Sequence, residues 1–284
     1  MTPTLTTPVI PSRMPFQLDF SSGIVSLGSC FADEIGARLL ESDFRIATNP
    51  FGTLYNPASI AAALNRIIDD RPIDEADLVQ HEGLWHSWHH HGSFSRLTAK
   101  ECLEACNSRI HQAHIALKEA TLLMVTFGTA WVFEHDGTIV ANCHKLPPQE
   151  FVRRRMDIDE IVVLWQPLLN KLSTFNPKFS TVFTVSPIRH MADGAHGNQL
   201  SKSTLLLAID QLTTQTIAYF PAYEIVLDEL RDYRFYGSDM THPAPLTVDI
   251  VWDRFQQACM TPATIQQAHL NAKQHKREKH IPLH

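Results

Sequence analysis

Two short segments carry the residue types that acyl chemistry needs. Near the amino end, Leu27-Gly28-Ser29-Cys30-Phe31-Ala32 sets a hydroxyl beside a thiol where an apolar run gives way to a helical pattern. A nucleophile at the head of a helix sits among free backbone N–H groups and the positive end of the helix dipole, and both stabilise a thiolate or an oxyanion. Gly28 allows the tight turn. The plain alternative is that Ser29 caps the helix and Cys30 is a small buried filler. Near the carboxyl end, Asp239-Met240-Thr241-His242-Pro243 places a carboxylate three residues before an imidazole. In a loop or first helical turn Asp239 can accept from one ring nitrogen of His242 and leave the other as a base.

Positioning two such segments requires a scaffold, and the hydropathy pattern supplies one. Residues 23–29 read as an apolar strand, and Phe31, Ile35, Leu39 and Leu40 then recur at helical spacing. A second strand is expected over 44–49, and a helix from Ala58 to Ile68 with Asn56 as N-cap and Pro57 in its first turn. A helix over 98–120 precedes 121–128, whose unbroken apolar run suits a strand covered on both faces. Asp136-Gly137 marks the turn of a hairpin. Helices over 158–175 and 198–219, strands over 181–186 and 223–230, and helices over 244–258 and 262–278 complete the pattern. Alternating strands and helices predict an α/β fold, a three-layer α/β/α sandwich around a parallel sheet. The whole chain, 1–284, reads as one domain with a Pro/Thr-rich extended arm over 1–20 and a C-terminal helix over 262–284. Ligands of such sheets bind beyond the carboxyl ends of the strands, and both reactive segments follow strands there.

Composition narrows the function classes. The 284 residues are 44% hydrophobic and 19% charged, as in an ordinary globular protein and unlike a disordered or fibrous one. A net charge of −6 gives no draw toward nucleic acid or an anionic membrane. No apolar run approaches the ~18 residues that span a bilayer. The opening MTPTLTTPVIPSRMPFQLDF lacks a basic start followed by an apolar stretch. Five cysteines, Cys30, Cys102, Cys106, Cys143 and Cys259, form neither metal-finger spacing nor a disulfide framework. A cytoplasmic protein is the expectation. Sixteen histidines are the compositional oddity, and His81, His86, His89, His90 and His91 crowd around Trp85 and Trp88. Alternation would leave His86 and His90 a poor chelate, so the stretch reads as an aromatic and imidazole lid over the substrate. Neither a metal site nor a cofactor is expected. Ser201-Lys202-Ser203 reads as helix capping, and Arg189, His190, His144 and Lys145 as possible cleft residues.

Several ordered motifs together resemble a known family. LGSCFADEIG, TFGTAWVF, TVSPIRH followed by SKSTLLLA, and YFPAYEIVLDELRDYRFYGSDMTHP are similar to the GSCFA family, grouped with the SGNH (GDSL-like) hydrolases, over about Gly23 to Phe255. The resemblance implies a flavodoxin-like α/β/α hydrolase fold, to which the β-hairpin and the Trp/His-rich insertion read from the residues are additions. It puts Cys30 at the nucleophile position, with Ser29 as the alternative, and Asp239 and His242 at the acid and base. Gly52 falls to the glycine whose N–H helps hold the oxyanion, and Gly128 to a further block glycine. The asparagine expected two residues later is Ala130 here, so the Thr129 hydroxyl or the His144 imidazole would have to replace its donor. The function implied is an acyl-ester hydrolase or acyltransferase acting on a small-molecule or carbohydrate ester. The missing asparagine motivates the alternative, a non-catalytic glycan- or acyl-binding protein on the same fold.

Overall fold

The computed structural model describes residues 6–279. The outer ends of the expected arm and terminal helix, 1–5 and 280–284, lie outside the described residues. Strands β1 (Gly23–Gly28), β2 (Arg45–Thr48), β5 (Leu122–Phe127), β9 (Ser180–Val185) and β10 (Ile217–Tyr219) form one sheet in the order β10-β9-β5-β1-β2. All its pairings are parallel. This is the flavodoxin-like order, with its reversal between β1 and β5, where such sheets open a ligand crevice.

The apolar runs of β1, β5 and β9 are continuous because each strand has two buried faces. Val25, Leu27, Leu123, Val125, Phe127, Phe183 and Val185 join one core, and Ile24, Leu122, Met124 and Val182 the other. The first core is completed by α2 (Pro57–Ile68), α3 (Ala99–Glu119), α4 (Ile158–Phe175) and α5 (Gly194–Leu212). The second is completed by α1 (Cys30–Glu41), a short helical segment after β10, and α7 (Pro245–Cys259). Ala268 of α8 (Pro262–Lys279) joins it as well. The arm is more than surface chain: Met14 and Leu18 are buried, and their N–H groups donate to Ala258 O and Cys259 O at 2.9 and 2.8 Å.

Two small sheets decorate this frame. The Trp/His stretch forms the antiparallel hairpin β3 (Leu78–His81) and β4 (Leu84–Ser87). The hairpin β6 (Trp131–His135) and β7 (Thr138–Val140) turns at Asp136 and Gly137, both in the left-handed region at φ 49° and 73°. A strand the sequence pattern did not suggest, β8 (Val152–Arg155), pairs with β6.

Residues 213–230 differ from expectation. Helix α5 stops at Leu212, inside the helix expected to run on to 219, and 217–219 is the sheet's edge strand. The expected strand over 223–230 is helical: α6 (Ala222–Glu224) runs on as a π turn, Ile225–Glu229. Ala222, Ile225, Val226 and Leu230 all bury in one core, at helical spacing that the β-branched residues mask.

The end of β1 is where the fold meets the chemistry. Gly28 has φ +148°, and a Cβ there would lie 2.2 Å from Thr126 O. Gly28→Ala is therefore expected to cost about 2–4 kcal/mol through backbone strain and collision. A lowered urea midpoint would show it; an unchanged midpoint would refute this account of the turn.

Candidate active site

The loop after β2 and strand β5 together hold the turn that presents the thiol. Gly28 N–H donates to Asn49 Oδ1 at 2.8 Å, Gly28 O accepts from Leu54 N–H at 2.9 Å, and Ser29 N–H donates to Thr126 O at 3.2 Å. Asn49 is itself held in the left-handed region at φ 42° and donates through Nδ2 to Asp33 Oδ1 at 2.6 Å. Ser29 occupies the N-cap position of α1, yet its side chain makes no cap bond, and its Oγ is sealed from solvent without a partner. Cys30 opens the helix and is only partly buried. Burial pushes its thiol above the ordinary range and the charges of Asp33 and Glu34 add to this, while the N–H groups of Cys30 and Phe31 pull the other way.

The Asp-x-x-His segment is a tight loop. Asp239 Oδ1 accepts the N–H groups of Thr241 and His242 at 2.9 and 3.0 Å, and Oδ2 meets His242 Nδ1 at 2.5 Å. These bonds, the backbone ones first, hold the Asp239 carboxyl far below the usual carboxylate range. A carboxylate on Nδ1 makes that nitrogen the donor and leaves Nε2 as the basic one. Nε2 has no hydrogen-bond partner among the described residues. Arg189 braces the loop: its Nη1 donates to Met240 O at 3.0 Å and its N–H to Thr241 O at 3.1 Å. The same guanidinium lies 5.5 Å from the Tyr236 ring centre.

Ser29, Cys30, Tyr55, Asn56, Thr129 and His242 line one cleft of about 520 Å³. At its other end Arg153 stacks 4.1 Å from the Trp131 ring centre and pairs with Asp193. The structure thus brings Cys30 and His242, far apart in the chain, to one crevice at the switch point of the sheet, with Asp239 behind the imidazole.

Other expected residues are engaged elsewhere. Gly52 N–H is spent on Asn49 O at 2.8 Å, so the expected oxyanion donor is not free. Gly128 and Thr129 both give their N–H groups to Tyr55 O, at 2.8 and 2.9 Å. The Thr129 hydroxyl reaches the cleft but lies 3.0 Å from Ser201 Oγ. His144 is buried away from the cleft, donating Nε2–H to Ser87 O at 2.8 Å and stacking on His86 with ring centres 4.5 Å apart. Burial pulls it down to about 4. Nor does the Trp/His stretch form a lid. His90 is fully buried and stacks on Phe51, with ring centres 4.2 Å apart, while His89 pairs with Asp77; of the crowded histidines, His91 alone lines the cleft. Among the described residues no three His, Cys, Asp or Glu side chains gather as metal ligands.

The capping reading of Ser201-Lys202-Ser203 is wrong for Lys202: α5 begins at Gly194, so the lysine lies inside the helix and points into the protein. It is 1% exposed, and its Nζ donates to Gly128 O and Ser186 O at 2.7 Å each, tying together the chain beyond β5 and β9. Burial pulls the amine down to about 7. The signal was present in the stripe Asn198, Lys202, Leu205, Ile209 and Leu212, the buried face of α5.

The family model of the GSCFA family matches residues 23–255. The chain belongs to the GSCFA family. No curated protein matches this GSCFA chain significantly in sequence. Among solved structures, a carbohydrate esterase family 3 protein from Talaromyces cellulolyticus is similar at a TM-score of 0.39 and 8% identity, over 87% of this chain and 98% of its own. A family 3 carbohydrate esterase of Clostridium thermocellum gives 0.38 and 9%, over 88% and 98%. The acetyl xylan esterase Est2A of Butyrivibrio proteoclasticus gives 0.39 and 11%, over 84% of this chain and 64% of its own.

The buried amine makes stability depend on pH. Lys202 titrates near 7 when folded and at 10.5 in its ordinary state. Unfolding therefore takes up a proton between those values. Its contribution is greatest above the upper value and is lost as pH falls toward the lower, by up to about 1.4 kcal/mol per unit. Urea unfolding of the GSCFA protein and of Lys202→Met at pH 7, 8 and 9 should show the native chain gaining on the variant as pH rises. Parallel profiles would contradict the shift.

Proposed function

We propose that this protein is an acyl-ester hydrolase or acyltransferase that works through a thioester on Cys30, with His242 as base and Asp239 as its orienting carboxylate. The observation that carries this reading is the free Nε2 of an Asp-backed imidazole on the same cleft as the thiol at the head of α1. Because the thiol lies above its ordinary range, it is not ionised at rest and needs a base during attack. His242 Nε2 takes the proton as Sγ bonds to the ester carbonyl carbon. The tetrahedral oxyanion collapses, the C–O bond breaks, and His242 returns the proton to the leaving alcohol. Water or a second alcohol then attacks the thioester carbonyl as its proton passes to His242. The intermediate collapses with cleavage of the C–S bond, and His242 returns that proton to Cys30 Sγ, releasing the acid or the new ester. The backbone N–H of Cys30, at the start of α1, is one donor for the oxyanion.

Cys30 is preferred over Ser29 because its side chain is only partly buried, whereas the Ser29 hydroxyl is sealed. The register of the family resemblance, which sets Cys30 at the nucleophile position, supports the same choice. A cleft of this volume, with Trp131 and Tyr55 among its walls and several hydrogen-bonding groups, suits a small-molecule or carbohydrate ester.

Hydrolysis of p-nitrophenyl acetate is expected to fall about 10²–10⁴-fold in Cys30→Ala and in His242→Ala, with Ser29→Ala close to wild type. Mass spectrometry should find the acetyl group on Cys30. If both variants match wild type above background, the cleft only binds. Alkylation of Cys30 by iodoacetamide should rise with pH, with a midpoint above that of an ordinary thiol, because burial and two nearby carboxylates disfavour the thiolate. A midpoint below neutrality would replace base-assisted attack with a preformed thiolate.

A further inference from the structure

The thioester reading leaves an oxyanion short of a side-chain donor. Ala130, where an asparagine is expected, is fully buried, and its N–H is bonded to Ser201 Oγ at 2.8 Å. The preceding N–H groups of Gly128 and Thr129 converge on Tyr55 O. That carbonyl belongs to the residue before Asn56, so the chain beyond β5 clamps Asn56 at the crevice instead of facing the substrate itself. Gly128 makes the closure possible: a Cβ there would lie 3.1 Å from Tyr55 O and 3.4 Å from Ser29 Cβ.

Asn56 is 6% exposed and lines the cleft with Cys30. Its Oδ1 caps α2, accepting Ser59 N–H at 2.8 Å. The cap decides which way the amide faces, because only the oxygen can accept. Nδ2 is therefore the outer end, and it donates to no group among the described residues. Unlike the Ser29 hydroxyl, this amide nitrogen is not sealed from solvent, so it stands on the cleft wall as a donor that a group entering the site can use. We propose that Asn56 Nδ2 is the side-chain oxyanion donor of this site, acting beside the Cys30 N–H. The inference rests on the thioester reading, and it names the group that stands in for the asparagine absent at position 130.

Aspartate and serine cap helices about as well as asparagine, so they separate the structural role of Asn56 from the chemical one. Asn56→Ser keeps the cap and removes the donor; Asn56→Asp keeps the cap and sets a negative charge against the oxyanion. The measurement is the single-turnover rate of Cys30 acetylation by p-nitrophenyl acetate, followed by mass spectrometry, beside the urea midpoint of each protein. Both variants should hold a near-native midpoint while acetylation slows about 10²–10³-fold, with Asn56→Asp the slower. Wild-type acetylation rates in both variants would overturn the inference and leave the thioester reading standing. A wild-type protein that never takes an acetyl group on Cys30 would overturn the reading, and this inference with it.

Discussion

The site depends on the approach of β1 to β5 at Gly28. Without a side chain, Gly28 lets its backbone close on Thr126, and the polar groups around the turn are then divided among Asn49, Leu54 and Thr126. A turn held from both sides, by the loop after β2 and by β5, cannot rotate to suit a neighbour. The first residue of α1 is therefore aimed by the sheet, and the thiol inherits a fixed direction along with the free N–H groups of the helix start.

The two halves of the cleft are built differently. The Cys30 half is made of buried backbone whose hydrogen bonds are internal, at the switch point of a five-stranded sheet. The His242 half is an exposed loop, with the His242 side chain 55% accessible, and it owes its shape to Asp239 within and Arg189 beneath. Protein segments with few buried contacts open at lower free energy than core strands. A rigid nucleophile thus faces a base on a lighter mount, and the guanidinium of Arg189 links that mount to the chain after β9.

Much of the scaffold was legible because burial on both faces leaves its mark in the sequence. The runs of β1, β5 and β9, the Asn56-Pro57 helix start and the Asp136-Gly137 turn all declare themselves through residue type. The stretch from 213 to 230 did not, since a three-residue strand is too short for alternation to register and β-branched residues disguise a helical repeat. That Cys30, Asp239 and His242 would meet could be expected from residue type and order, while the preference for Cys30 over Ser29 came from the register of the family resemblance. The roles of Gly52, Gly128 and His144 could not, because a motif shows which N–H groups exist and not which carbonyl has already taken them. Lys202 was read as part of a helix cap because the helix start was placed at 198; residue type alone did not reveal the two carbonyls that accept from it.

Those two carbonyls have a further consequence. An amine that has shed its proton keeps two hydrogens, which matches two acceptors and leaves no donor idle. Lys202 can therefore keep the ends of β5 and β9 tied together without a charge, each bond weaker than its charged form but neither one lost.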